Sequence, residues 1–228
     1  MSIHSTRRQL VGLAIAVLAL GNGACHSDKS TGVSVLALTP DAGVNAQSGT
    51  VGQTLGTPIS VHVTDANGNA MSGVLVSWSV LKGGSVDSST SLTDAGGDAV
   101  THWTLGTAAG IDSLEALVSD GVTTTITATA NAGAVASLAK VSGDVQSVTA
   151  GTAGQPFVVE VMDQYANAVG GATVTWSTNG GGSLSASSST SDTNGLAQVT
   201  LTTASPGTYT ATASSGSVTP VSFTLTAN

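Results

Sequence analysis

Residues 61–79 read VHVTDANGNAMSGVLVSWS, and residues 159–177 read VEVMDQYANAVGGATVTWS. Both runs open on alternating valines, cross a short polar turn and end in a second alternating run closed by Trp-Ser. Successive side chains of a strand point to opposite faces, so this alternation is the period of a half-buried β-strand. Val61 and Val63 alternate with His62 and Thr64, and Val76 and Trp78 with Ser77 and Ser79. In the second run Val174 and Trp176 alternate with Thr175 and Ser177. The intervening turn is rich in Asp, Asn and Gly, which bond their own backbone or accept left-handed conformations. The spacing predicts antiparallel strands with Trp78 and Trp176 facing inward.

The likeness extends outward from these runs. Residues 58–104 align without a gap on 156–202, at an offset of 98, and 19 of the 47 pairs are identical. Such a period is that of a whole domain, not of a solenoid turn. Further alternating stripes run through Thr101, Trp103 and Leu105, through Tyr209, Ala211 and Ala213, and through Val221, Phe223 and Leu225. Turns at Gly83-Gly84 and Asp94–Gly97 punctuate them, and Gly97 and Gly195 are expected at positive φ. Short strands at this spacing predict an all-β chain of two tandem antiparallel β-sandwiches, residues 33–131 and 132–228. The linker around Asn131-Ala132-Gly133-Ala134 is short and implies limited bending.

The N-terminal segment reads as an address. Arg7 and Arg8 precede eleven uncharged residues, 10–20, and then Gly21-Asn22-Gly23-Ala24-Cys25. This is a basic region, an apolar region and a small-residue cleavage zone, so residues 1–24 are read as a signal peptide. Eleven residues are too few for a membrane span, which needs about 20. Gly23-Ala24-Cys25 resembles the end of a bacterial lipoprotein signal, although Asn22 stands where an aliphatic residue is usual. The resemblance implies a lipid anchor on Cys25, the only Cys, with residues 25–32 as a polar tether. Losing Arg7 and Arg8 would take the net charge from −8 to −10.

Composition excludes several functions. Only 8 % of the 228 residues are charged, against about 25 % in ordinary domains. Five Lys and Arg cannot build a phosphate-binding surface, so nucleic acid is excluded as a partner. One Cys excludes an internal disulfide framework. The 33 Thr and 31 Ser instead place hydroxyls on the outer strand faces.

A search for chemistry finds no catalytic residues, no metal site and no cofactor. His62 and His102 occupy outward positions and are read as solvated surface residues, and Glu115 and Glu160 lie in different repeats. Asp65–Asn69 imitates the first half of a calcium loop, but Ala70 and Val76 stand where that loop needs Gly and Glu. Asp94 and Asp98 are at most a weak cation pair. Phe157 is read as out of step with Val159 and Val161 or at a strand start. Tyr165 sits in a turn away from any core stripe and is the one candidate contact aromatic.

The pattern V-x-V-x-D-x-x-x-N-A-x-x-G-x-x-V-x-W-S, followed by G-G-S and then T/S-D-x-x-G-x-A, resembles bacterial immunoglobulin-like domains of group 1, the invasin/intimin type. It is met at residues 61–79, 83–85 and 93–99, and again at 159–177, 181–183 and 191–197. The resemblance implies immunoglobulin-like sandwiches in a non-enzymatic, exported protein at the outer membrane or cell surface. It implies an adhesion or spacer role, with a membrane held through Cys25 and a cell-surface protein or glycan as partner. Two alternatives stand beside it: a polysaccharide- or protein-binding module with its site on the distal domain, and a surface filament subunit that self-associates through strand edges.

Overall fold

A computed structural model describes residues 34–228; Cys25 and the signal and tether segments fall outside the described residues. The first half forms β1 (Val35–Pro40), β2 (Gln47–Thr50), β3 (Ile59–Asp65), β4 (Leu75–Lys82), β5 (Ser85–Val86), β6 (Thr90–Leu92), β7 (Asp98–Thr101), β8 (Trp103–Thr104), β9 (Gly110–Val118) and β10 (Thr123–Asn131). The second half forms β11 (Ser137–Ser142), β12 (Gln146–Val148), β13 (Phe157–Met162), β14 (Thr173–Asn179), β15 (Ser183–Leu184), β16 (Ser188–Thr190), β17 (Leu196–Val199), β18 (Leu201–Thr202), β19 (Gly207–Ser214) and β20 (Val221–Ala227). No helix occurs among the described residues.

Each half folds into a sandwich with the same strand order. A three-stranded sheet, β1-β3-β7 or β11-β13-β17, shares one buried cluster with a five-stranded sheet, β2-β10-β9-β4-β6 or β12-β20-β19-β14-β16. Pairing is antiparallel except where β2 runs parallel to β10 and β12 to β20. The alternation read from the sequence sets the two faces. Ile59, Val61 and Val63 are fully buried, whereas Ser60, His62 and Thr64 between them are half-buried on the outer face. Gly97 and Gly195 take φ of 86° and 75°, the left-handed region expected of them.

The two tryptophans anchor both cores in the same way. Trp78 and Trp176 are buried, and each indole Nε1 donates to a serine across the sheet: Ser91 Oγ and Ser189 Oγ, both at 2.9 Å. A buried indole N–H needs such a partner, and both members of each pair recur at the offset of 98.

Elsewhere the cores are filled differently within one frame. Trp103 of β8 stands where β18 has Leu201, and Asp112 of β9 stands where β19 has Tyr209. The bulky ring has changed strands, so the combined volume at that end of the core is nearly kept. Gly83 meets both Trp103, whose Nε1 donates to its carbonyl at 3.3 Å, and the Asp112 carboxylate. Gly182 likewise faces both Leu201 and Tyr209. The Tyr209 hydroxyl donates to Ser205 O at 2.8 Å and accepts from Ala204 N and Ser205 N, closing that corner as in other immunoglobulin-like sandwiches.

Phe157 follows its strand-start reading and not the out-of-step one. It opens β13 in step with Val159 and Val161, is fully buried, and stacks on Phe223 with centroids 5.0 Å apart. Residues 157, 159 and 161 share one strand face, so period two carries the ring inward.

Trp78→Ala and Trp176→Ala are each expected to cost about 3–5 kcal/mol, by loss of transfer energy and creation of a cavity. Urea unfolding of the single variants checks this, and a cost below about 1 kcal/mol would show that the ring is not a core anchor.

Candidate functional site

The turn between the two quoted runs builds the same loop twice. In the first sandwich Asp65 Oδ1 accepts from Asn67 N at 2.8 Å and Asn69 N at 2.9 Å, while Asn69 Nδ2 donates to Asp65 Oδ2 at 3.1 Å. In the second, Asp163 Oδ1 accepts from Tyr165 N at 2.8 Å and Asn167 N at 2.9 Å. Short side chains that bond the backbone two and four residues on are what make this sequence turn.

The second loop does more than turn the chain, because its remaining polar atoms reach back to the first sandwich and to the linker. Asp163 Oδ2 accepts from Gly133 N at 2.8 Å, fixing the linker backbone. Asn167 Oδ1 accepts from Ala109 N at 2.8 Å, and Asn167 Nδ2 donates to Thr107 O at 2.8 Å as well as to Asp163. Both sides of one amide are thereby used, partly on the loop between β8 and β9. The linker is tied again by Val51 N to Asn131 O at 2.9 Å and Ala136 N to Met162 O at 2.8 Å. These bonds tie the two ends of the linker to the sandwich on either side.

Tyr165 lies at the same junction. Its ring covers Gly52 so closely that a methyl group on Gly52 would stand 2.7 Å from the Tyr165 hydroxyl oxygen. The corresponding Gly151 of the second sandwich has nothing within 4 Å. Tyr165-Ala166 replaces Asn67-Gly68 of the first loop, and Ala166 keeps the left-handed backbone at φ 63° where Gly68 has 79°. A strained Ala is thus accepted beside a ring that packs across the joint. Tyr165 is still 41 % exposed, so part of the ring also faces solvent.

Asp163 is the electrostatic centre of the joint. Burial alone would raise its pKa, but the hydrogen bonds from Gly133, Asn167 and Tyr165 stabilise the anion and hold the carboxyl at about 2 against 3.8. Asp65 is also lowered, chiefly by the backbone N–H of Asn69, but nothing from the linker reaches it.

The other sequence-predicted residues fall into place around this. Asp94 Oδ1 accepts from Gly96 N and Asp98 N of its own turn, while Asp98 Oδ1 lies 2.6 Å from His62 Nδ1, so each carboxylate has a partner within the protein. His62 and His102 are therefore not merely solvated. His102 Nδ1 lies 2.8 Å from Asp87 Oδ2, and the His102 backbone N–H, ahead of its ring, lowers the Asp87 pKa. A hollow of about 520 Å³ on the second sandwich is lined by Val141, Val158, Ser189, Asp192 and Gln198. Asp192, its acid, is engaged by Asn194 N and Leu196 N.

Residues 138–226 match the family described as bacterial Ig-like domain (group 1). The second sandwich is a bacterial Ig-like domain of group 1. The fold of this Ig-like pair is shared with InvD of Yersinia pseudotuberculosis, at 20 % identity and a TM-score of 0.54, over 84 % of this chain and 57 % of that one. It is shared also with FdeC, an Escherichia coli adhesin, at 20 % identity and a TM-score of 0.52, over 84 % and 65 % respectively. The chain spans less than two thirds of either. No curated protein matches it in sequence.

Sequence reasoning missed Asn167 and Asp163 as junction residues because their partners in the first copy, Asn69 and Asp65, are identical and serve only the turn. The departure at Tyr165 was the available signal. Asp163→Ala is expected to cost about 2–3 kcal/mol, since several hydrogen bonds to a buried charge are lost. Because the folded pKa lies below the unfolded one, the Asp163 contribution is complete above about pH 4 and disappears as pH falls towards 2. Thermal melts from pH 7 to pH 2 check both: the gap between wild type and Asp163→Ala should close as the pH falls, and a pH-independent gap would contradict it.

Proposed function

We propose that the chain is a lipid-anchored, non-enzymatic surface module of adhesion type, exported and held at the outer membrane or cell surface through Cys25. Its two Ig-like sandwiches serve as a stiff spacer that presents the distal module to a cell-surface protein or glycan. The observation that carries this reading is the polar joint of Asp163, Asn167 and Tyr165. A joint that fixes one sandwich on the other suits presentation at a set distance, where a flexible linker would lose reach to chain entropy. Membership of the second module in the group 1 Ig-like family and the fold shared with an E. coli adhesin support the same role. So does the surface chemistry: exposed strand faces rich in Thr and Ser form hydrogen bonds with sugars or with another module without the desolvation cost of charges.

Anchoring requires two or more acyl chains on Cys25, because a single chain binds a membrane only marginally. Intact mass of the protein from its own cell should therefore show cleavage before Cys25 and the added acyl mass. The Cys25→Ala variant should leave the membrane fraction, and cells carrying it should lose adherence to the surface that wild-type cells bind. Retention of Cys25→Ala in the membrane would remove the anchor, and unchanged adherence would remove the adhesion role.

A further inference from the structure

We propose that Asp41, His62 and Asp98 form a binding site for a divalent transition-metal ion of the zinc class on the outer face of the first sandwich. The topology brings together three residues that are far apart in sequence. His62 on β3 stands directly opposite Asp98 on β7, and Asp41 follows the end of β1 on the other side of β3. One ligand atom from each lies within 4.8 Å of the other two, and all three residues are half-buried. Asp41 is steered by two contacts with Ser60, its N–H to Ser60 O at 3.1 Å and the Ser60 hydroxyl to its carboxylate. Ligands carried by or beside paired strands need little reorganisation to close on an ion.

The donor set decides the class of ion. One imidazole nitrogen with two carboxylates suits zinc and its first-row neighbours better than calcium or magnesium, which favour oxygen alone. Two carboxylates approach each other here, and among the described residues neither meets a Lys or Arg; His62 is the only basic partner. Binding replaces the His62–Asp98 hydrogen bond: the ion takes the Nδ1 lone pair, and the neutral ring carries its one proton on Nε2. Three protein ligands leave coordination positions open to water or to a donor from outside. The second sandwich has Glu160 and Leu196 in place of His62 and Asp98, so the site belongs to the first sandwich alone.

Titration calorimetry of the full chain with zinc chloride, repeated with cobalt(II) as an absorption probe, tests this. The expected result is one saturable ion that depends on these ligands. His62→Ala and Asp98→Asn should each weaken it about tenfold or more, whereas His102→Ala should leave it unchanged. Should His62→Ala fail to fold by circular dichroism, His62→Gln and Asp41→Asn carry the same expectation. Absence of saturable binding in the wild type overturns the proposal, as does undiminished binding by the folded His62 variants.

Discussion

A buried carboxylate must be satisfied where it lies, and the Asp163 carboxylate organises the joint between the sandwiches for that reason. Its two oxygens collect N–H groups from its own turn, from the Asn167 amide and from Gly133 of the linker. With the linker in place this side chain is almost unexposed, so the Gly133 N–H fills the position that water would otherwise hold. Asn167 extends the constraint to the first sandwich with a donor and an acceptor on Thr107 and Ala109. The Tyr165 ring adds a close packing contact with Gly52, its hydroxyl end nearest. The orientation of the modules therefore rests on a few directional bonds.

The same economy of charge runs through the rest of the molecule. With 8 % charged residues, the outer faces depend on hydroxyls: Thr212–Ser222 links β19 to β20, and Thr54–Thr104 ties the segment before β3 to β8. The few acids mostly have defined work. Asp65, Asp94, Asp163 and Asp192 each hold a turn by accepting backbone N–H groups. Without disulfides, cohesion of the sheets falls to the interlocked cores, where Trp78 and Trp176 keep one position while Trp103 and Tyr209 occupy different strands of one frame.

Much of the fold was legible because period two and the offset of 98 are local and repeated. The inward stripes through Val61, Val76, Trp103 and Phe223 follow directly from alternation. What was hidden depends on pairing across strands or across the joint. Closeness in sequence points Asp98 to Asp94, whereas strand register puts Asp98 opposite His62. Asp41 carried no signal, since nothing in sequence links it to a residue twenty-one positions on. Asn167 was hidden by its identity with Asn69, and only Tyr165 betrayed the difference between the two loops. Repeat symmetry reveals what the copies share; the function of a tandem pair lies partly in where they differ.

If the polar joint holds, the two sandwiches move as one body. Residual dipolar couplings measure this directly, with alignment tensors fitted separately to β1–β10 and to β11–β20. The two halves should report the same tensor in magnitude and orientation. Distinct tensors, with one half aligned more weakly than the other, would mean that the joint does not hold.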